Sequence, residues 1–396
     1  MSAASRRPRS TPGSTAIRTL VSTAGDEATV AAELLAQCAG AGPGLVVLFA
    51  TMTLDLGRLG ALLRVGGRDA VVGAATGRAI GTNGFLKHGV TGFLLPASRY
   101  AVADAVIEDS ARLGPGEAAL LVRGLRARLD AGPGAAFRQR FALLLVDAEP
   151  RCEERLTATL GLALSGIPLV GGSAGDLYFN PAGHRPDAPR VLAGTRSLPG
   201  GAVLLLVATD AALRATSHNH YTPGRCRVVI TEAEPSRRVV REIDGRPALD
   251  AYLAACGQRG RTRDPGDFAS HPLMIRIGGR YYPRGMQRIH ADGSLEFACA
   301  VEPGIVMTVA EPGDMRERLA QLFDELRAAV GPPELVIGFD CSARTAAMER
   351  AGLTDSIATL MRRHRVVGFA TLGEQFGTMH ANNSFSCLAL GSEPGS

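Results

Sequence analysis

One pattern written three times constrains this chain more than any other feature. "LVVLFAT" (Leu45 to Thr51), "FALLLVDA" (Phe141 to Ala148) and "ELVIGFDC" (Glu334 to Cys341) are apolar runs suited to strands buried on both faces. Each leads through a helix-like stretch, among them "CEERLTATLGLALSG" and "MERAGLTDSIATLMRR", to a second strand ending in a glycine turn. Those second strands read "VVGAATGRAIG", "PLVGGSAGDLYFN" and "VVGFATLGEQFG". Strand–helix–strand units close right-handed and bring both strand ends to one sheet edge. The pattern predicts an α/β protein whose mixed sheets are built from repeated strand–helix–strand units. It also predicts that the three glycine turns gather around a cavity, since glycine permits positive φ and close approach of backbone to a ligand.

Between the second and third units the texture changes. After the buried strand "GAVLLLVA" come "CRVVITEA", "RVVREIDG", "LMIRIGGRYYPRG" and "LEFACAVEPG", whose alternation and Gly/Pro punctuation suggest antiparallel hairpins. "DGRPALDAYLAACG" reads as one helix, with Pro247 near its first turn and Gly257 past its end. Two related halves are expected, residues 28–230 and 231–392, behind a disordered N-terminal arm at residues 1–16.

Composition removes several function classes. No apolar run approaches the roughly 20 residues that span a bilayer, and "MSAASRRPRSTPGSTA" has no apolar h-region, so a cytoplasmic protein that binds no membrane is expected. The net charge is +5, but the arginines are scattered among acids, aromatic residues make up 5% and Trp is absent. A nucleic-acid binder clusters its basic residues and interleaves aromatics, so no nucleic-acid partner is expected. The seven cysteines are dispersed without a C-x-x-C pair, which reads as reduced thiols and not as a zinc or covalent-haem site. Neither a P-loop nor a strand-borne G-x-G-x-x-G occurs.

Two stretches carry chemistry. In "SHNHYTPG" (Ser217 to Gly224), His218 and His220 flank Asn219; in an extended segment residues two apart share a face, and neutral imidazole is a common iron ligand. In "GEQFGTMHANNSF" (Gly373 to Phe385), Glu374, His380, Asn382 and Asn383 follow the third glycine turn, where open α/β sheets place ligands. Glu374 suits an ammonium group, and the Asn side chains suit a carboxylate or amide; turn chemistry alone is the competing reading. "GGSAG" matches G-x-S-x-G at Ser173, but "DLYFNPAGHRPDAP" after it, with three prolines, cannot supply the helix a nucleophile elbow needs. Ser173 is therefore expected as a turn hydroxyl facing the pocket. Cys341 in "FDCSAR" reads as a buried structural thiol, beside an Asp340–Arg344 pair that holds the turn.

The ordered set "VVGAATGRAIG", "IPLVGGSAGD", "EIDGRPALDAYLAACG", "YYPRG…DGSLEFACAVEPG", "FDCSAR" and "VVGFATLGEQFG…HANNSF" resembles the FIST family, bacterial sensory domains with N-terminal and C-terminal parts. The resemblance covers nearly everything from Ala28 to Gly391 and implies a small-ligand sensor, not an enzyme, with amino acids as proposed ligands. Such domains often sit beside signalling output modules; with no room for one after the last motif, a stand-alone sensor is expected, passing its state to a partner such as a histidine kinase or a cyclic-di-nucleotide signalling protein. "SHNHYTPG" and "GEQFGTMHANNSF" also resemble the haem-containing, nitric-oxide-sensing (NosP-like) branch. That likeness implies haem b on His220 or His218. The ligand pocket would be built from Gly171, Gly172, Ser173, Asn219, Tyr221, Arg344, Glu374, His380 and Asn382. A haem-free sensor of an amino acid is the alternative, and a serine or cysteine hydrolase a more distant one.

Overall fold

The computed structural model describes residues 15–148, 150–175, 190–257 and 268–392. Most of the expected N-terminal arm, residues 1–14, lies outside the described residues. So does "DLYFNPAGHRPDAP" (176–189), the segment expected to supply no helix after Ser173.

The chain is a mixed α/β protein in which one plan occurs three times. The order is edge strand, helix, strand, helix, strand, hairpin, closing strand. Copy 1 runs Arg18–Ser22, Glu27–Gln37, Gly44–Thr51, Leu56–Val65, Val71–Thr76, the hairpin Ala79–Gly81/Gly84–Leu86, then Val90–Pro96. Copy 2 runs Tyr100–Ile107, Pro115–Asp130, Gln139–Asp147, Glu153–Leu164, Leu169–Ala174, Val191–Ala193/Arg196–Ser197, then Ala202–Thr209. Copy 3 opens with Leu213–His218 and resumes at Met315–Val330. It continues with Leu335–Cys341, two short helices (Ser342–Arg350 and Thr354–Arg363), Val366–Thr371, Glu374–Phe376/Met379–Ala381 and Phe385–Leu390. Local chemistry fixes the helix starts: Asp26, Asp55 and Asp314 each accept a hydrogen bond from a first-turn amide.

In every copy the two strands around the second helix pair in parallel, as strand–helix–strand units must. Thr51 lies beside Thr76, Asp147 beside Ala174, and Cys341 beside Thr371. The hairpin that follows leaves its own copy and extends the sheet of another. The copy 1 hairpin joins copy 3 (Phe369 beside Ala79), the copy 3 hairpin joins copy 2 (Gly172 beside Glu374), and the copy 2 hairpin joins copy 1 (Ala74 beside Val191). The exchange closes a ring of three six-stranded sheets. Their inner faces share one apolar core that includes Phe49, Phe141, Phe339 and Phe369, all fully buried, while helices cover the outer faces. Truncating such a phenylalanine costs about 3–5 kcal/mol.

The antiparallel segments expected between the units form an eight-stranded sheet inserted into copy 3, between its edge strand and its first helix. The helix read in "DGRPALDAYLAACG" is present as Ala248–Ala255, and Gly257 takes φ +67° beyond its end. The expected boundary at residue 230 falls inside the strand Tyr221–Glu234. The insertion is clamped to the ring by Arg238, which donates to Glu153 (2.8 Å), Glu154 (2.7 Å) and the carbonyl of Ala298 (2.9 Å).

Candidate functional site

The three second strands meet at their C-terminal ends through one repeated main-chain bond. The amides of Ala75, Ala370 and Ser173 donate to the carbonyls of Arg190, Arg78 and Gly373 at 2.8, 2.8 and 2.9 Å. The glycine turns converge as expected, but main-chain bonds close the junction where a cavity was expected. Glycine here lets backbones and rings pack. A Cβ on Gly171 would lie 2.2 Å from the Leu144 carbonyl, and one on Gly172 would lie 2.7 Å from Phe339 and Phe369. Gly171 and Gly172 thus space the strands. Ser173 sits within the strand Leu169–Ala174, not in a turn; it is fully buried, and its Oγ accepts from Gln375 Nε2 at 2.7 Å.

Register makes the copies comparable position by position, and copy 3 departs from the other two. Where copies 1 and 2 supply Ala79 and Val191 in the exchanged hairpins, copy 3 supplies Glu374; where they supply Ile80 and Leu192, it supplies Gln375. His380 stands for Phe85 and Ser197. On the neighbouring strands, Asp340 stands for Ala50 and Val146, and His218 for Ser22 and Ile107. Gly373 stands where the others carry Arg78 and Arg190. A Cβ there would lie 2.1 Å from His380 Cε1, so the glycine makes room for the imidazole.

These replacements build a buried polar cluster. Arg344, in the first turn of Ser342–Arg350, donates to Asp340 Oδ1 at 2.6 Å, and the two side chains are 2% and 0% exposed. Glu374 accepts from the hydroxyls of Ser384 (2.6 Å) and Thr371. Burial pushes its carboxyl up to about 8, assisted by Asp340 and opposed by the two hydroxyls. Burial likewise raises Asp340, opposed by Arg344. His380 is held below the usual imidazole range by burial, while Glu154 pulls the other way. His218 is lowered to about 4 and His220 to about 3, by burial first and the Arg344 charge second. Both are neutral at physiological pH, the state an iron ligand requires. They do not share a strand face: His218 ends the strand Leu213–His218, and His220 sits in the bend after it, its ring centroid 4.0 Å from that of Tyr221. Asn219 accepts from the Tyr221 amide at 3.1 Å, and the Tyr221 hydroxyl donates to the Ala269 carbonyl at 2.6 Å, so both hold the loop. Cys341 is buried, and its thiol is raised far above its usual range, which makes it inert.

Eight buried side-chain polar atoms in this cluster have no hydrogen-bond partner among the described residues. They are His218 Nε2, His220 Nδ1, Asp340 Oδ2, Gln375 Oε1, His380 Nε2, both amide atoms of Asn382, and Asn383 Oδ1. Each such atom costs about 1–3 kcal/mol when left unpaired, and they concentrate in one place. The cluster borders the insertion: Arg284 Nη1 donates to the His380 carbonyl at 3.4 Å, a Cβ on Gly285 would lie 3.2 Å from Asn382 Cβ, and the Gly313 amide donates to the His220 carbonyl at 2.8 Å.

The structure thus brings together Arg344, Glu374, His380, Asn382, His218 and His220 from the sequence-based set. Gln375, as well as Thr371 and Ser384, was not anticipated. The signal was available, because "RAIGTNGFLKHGV" (78–90) and "GEQFGTMHANNSF" (373–385) have equal length and align residue for residue. Among the described residues no group of three His, Cys, Asp or Glu gathers as a metal-ligand set.

Fold and cluster together define an α/β protein with three pseudo-equivalent units, the third of which carries a buried polar cluster with partnerless atoms. The chain belongs to the FIST family: the FIST N domain matches residues 44–246 and the FIST C domain residues 248–377. FIST domains are small-ligand sensor domains. No curated protein matches the chain. Among solved structures it is similar to a cyanuric acid hydrolase described as an evolutionary innovation by structural concatenation. The two are 11% identical, with 95% of this chain and 99% of that chain covered and a TM-score of 0.33. No described helix is long and apolar enough to cross a membrane.

Proposed function

We propose that this FIST protein senses a small zwitterion of the amino-acid type, bound without haem in the copy 3 cluster. The observation that carries the reading is the set of partnerless atoms, which divides by chemistry. Asp340 Oδ2, Asn382 Oδ1 and Asn383 Oδ1 are acceptors for an ammonium group, and Asn382 Nδ2 is a donor for a carboxylate. His380 adds a second donor at Nε2 when its Nδ1 accepts from Gln375 Nε2, 3.4 Å away. Because the cluster borders the insertion, occupancy favours one seating of the insertion on the ring. The shift is no larger than the ligand's differential affinity for the two seatings. A partner, a histidine kinase or a cyclic-di-nucleotide signalling protein, then reads the seating.

A second reading is favoured by one observation, the two neutral histidines with partnerless nitrogens: haem b on His218 or His220, sensing nitric oxide. His218 or His220 would hold the haem through a neutral imidazole nitrogen, and the iron would supply the gas-binding chemistry. The buried charges of Arg344 and Asp340 beside these histidines favour the zwitterion.

Thermal unfolding with a panel of amino acids, and visible spectra with added haem and nitric oxide, separate the two. Stabilisation by an amino acid, lost in Asn382→Ala, supports the first reading. If no amino acid stabilises the protein while haem is retained, and His220→Ala loses haem when the distant control His364→Ala does not, the second replaces it.

A further inference from the structure

A cavity of about 680 Å³ opens at the other ends of the strands, between the sheets of copies 1 and 2, away from the polar cluster. One wall is the inner face of the edge strand Tyr100–Ile107, where Val102, Asp104 and Val106 alternate; the other includes Leu45, Val72 and Ala193. Its size lies in the range of small-molecule pockets. The lining side chains are apolar apart from Arg68, Asp69, Asp104 and the hydroxyl of Tyr100. Arg68 spends its guanidinium on the carbonyls of Gly42, Cys38 and Ala41, and Asp69 faces solvent beside Arg64. Asp104 is exposed and accepts Arg128 on its main-chain carbonyl, and no ion pair reaches its carboxylate among the described residues.

An inward charge on an edge strand often serves only to block pairing with other chains. The threefold plan argues against that explanation here. Asp104 lies beside Leu205, which lies beside Leu143. The same place in copy 1 is Thr19, beside Phe93 and Val47, and in copy 3 it is Ala215, beside Leu388 and Ile337. Two edge strands of the same fold do without the carboxylate.

We propose that this cavity is a second binding site, for a small organic cation with an apolar body, such as a primary amine carrying an alkyl chain. The body fills the space between Val102, Val106 and Leu45, and the ammonium group meets Asp104. The site is separate from the copy 3 cluster and does not depend on the reading given to it.

Calorimetric titration of the full chain with n-hexylamine and with hexanoate tests this. Hexylamine is expected to bind in preference to hexanoate. Asp104→Asn should weaken hexylamine binding about fivefold, the scale of one partly exposed ion pair, and Asn382→Ala should leave it unchanged. Equal binding of amine and carboxylate, no binding of hexylamine at millimolar concentration, or binding lost in Asn382→Ala but kept in Asp104→Asn would each overturn the assignment.

Discussion

Replacing Glu374 with glutamine isolates one buried proton. Glu374 is fully buried, and its folded-state pKa is about 8 against an ordinary 4.5, with burial the main cause. The folded protein therefore holds this proton where the unfolded chain has released it. Linkage then gives a stabilising contribution that is complete below pH 4.5 and disappears as pH rises through 8. At pH 6.5 the bound proton contributes about 2 kcal/mol and at pH 8 well under 1, so the wild type loses about 1–2 kcal/mol across that interval. The substituted amide resembles the protonated acid in shape and cannot ionise. The histidines of the cluster are shifted downward, so their linkage lies below pH 6.5. Asp340 and Arg344 remain in both proteins and cancel in the comparison. Urea unfolding at pH 6.5, 7.25 and 8 should show the wild type losing stability relative to Glu374→Gln by that amount. Parallel pH dependences in the two proteins would refute the claim that Glu374 is folded in its neutral form.

Two further changes probe the same cluster. Gly373→Ala places a Cβ 2.1 Å from His380 Cε1 and 2.4 Å from its Nε2 in close-packed surroundings, and should cost about 1–3 kcal/mol; an unchanged urea midpoint would show that the imidazole is free to move aside. Arg344→Ala leaves Asp340 buried without its partner and should cost about 3–5 kcal/mol, while Arg344→Met with Asp340→Asn should recover most of it. Equal losses in the single and double variants would mean that packing, not charge, decides.

The threefold plan was legible because strands buried on both faces read as unbroken apolar runs, as Leu45–Thr51, Phe141–Asp147 and Leu335–Cys341 do. The hairpin exchange was not legible. Nothing local in "GRAIG" records that Ala79 pairs with Phe369, 290 residues away, because that pairing is set when three sheets pack around one core. The role of the glycines was misjudged for a related reason. Gly172 and Gly373 look identical in sequence, yet one admits two phenylalanine rings and the other a histidine. The polar residues were easier to find, since Glu374, His380 and Asn382 follow an apolar strand without the apolar partners a hairpin on that core should have.

Pseudo-symmetry turns that impression into an argument about function. Each place in this fold is filled three times under nearly the same backbone constraints, so copies 1 and 2 report what stability alone asks for. At the hairpin they ask for Ala79 and Ile80, or Val191 and Leu192; at the strand end they ask for Ala50 or Val146. Copy 3 gives up that apolar burial at Glu374, Gln375 and Asp340, and leaves Gln375 Oε1 and Asp340 Oδ2 without partners among the described residues, at roughly 1–3 kcal/mol per unpaired group. The ring closes equally well in all three places, so closure does not explain the cost. The insertion enters and leaves copy 3 alone and borders the same cluster at His220, His380 and Asn382. Copy 2 keeps a buried Asp147–Arg190 pair at its own junction, but the cluster with partnerless atoms and the insertion coincide at copy 3, as expected if a ligand held there is reported through the element that borders it.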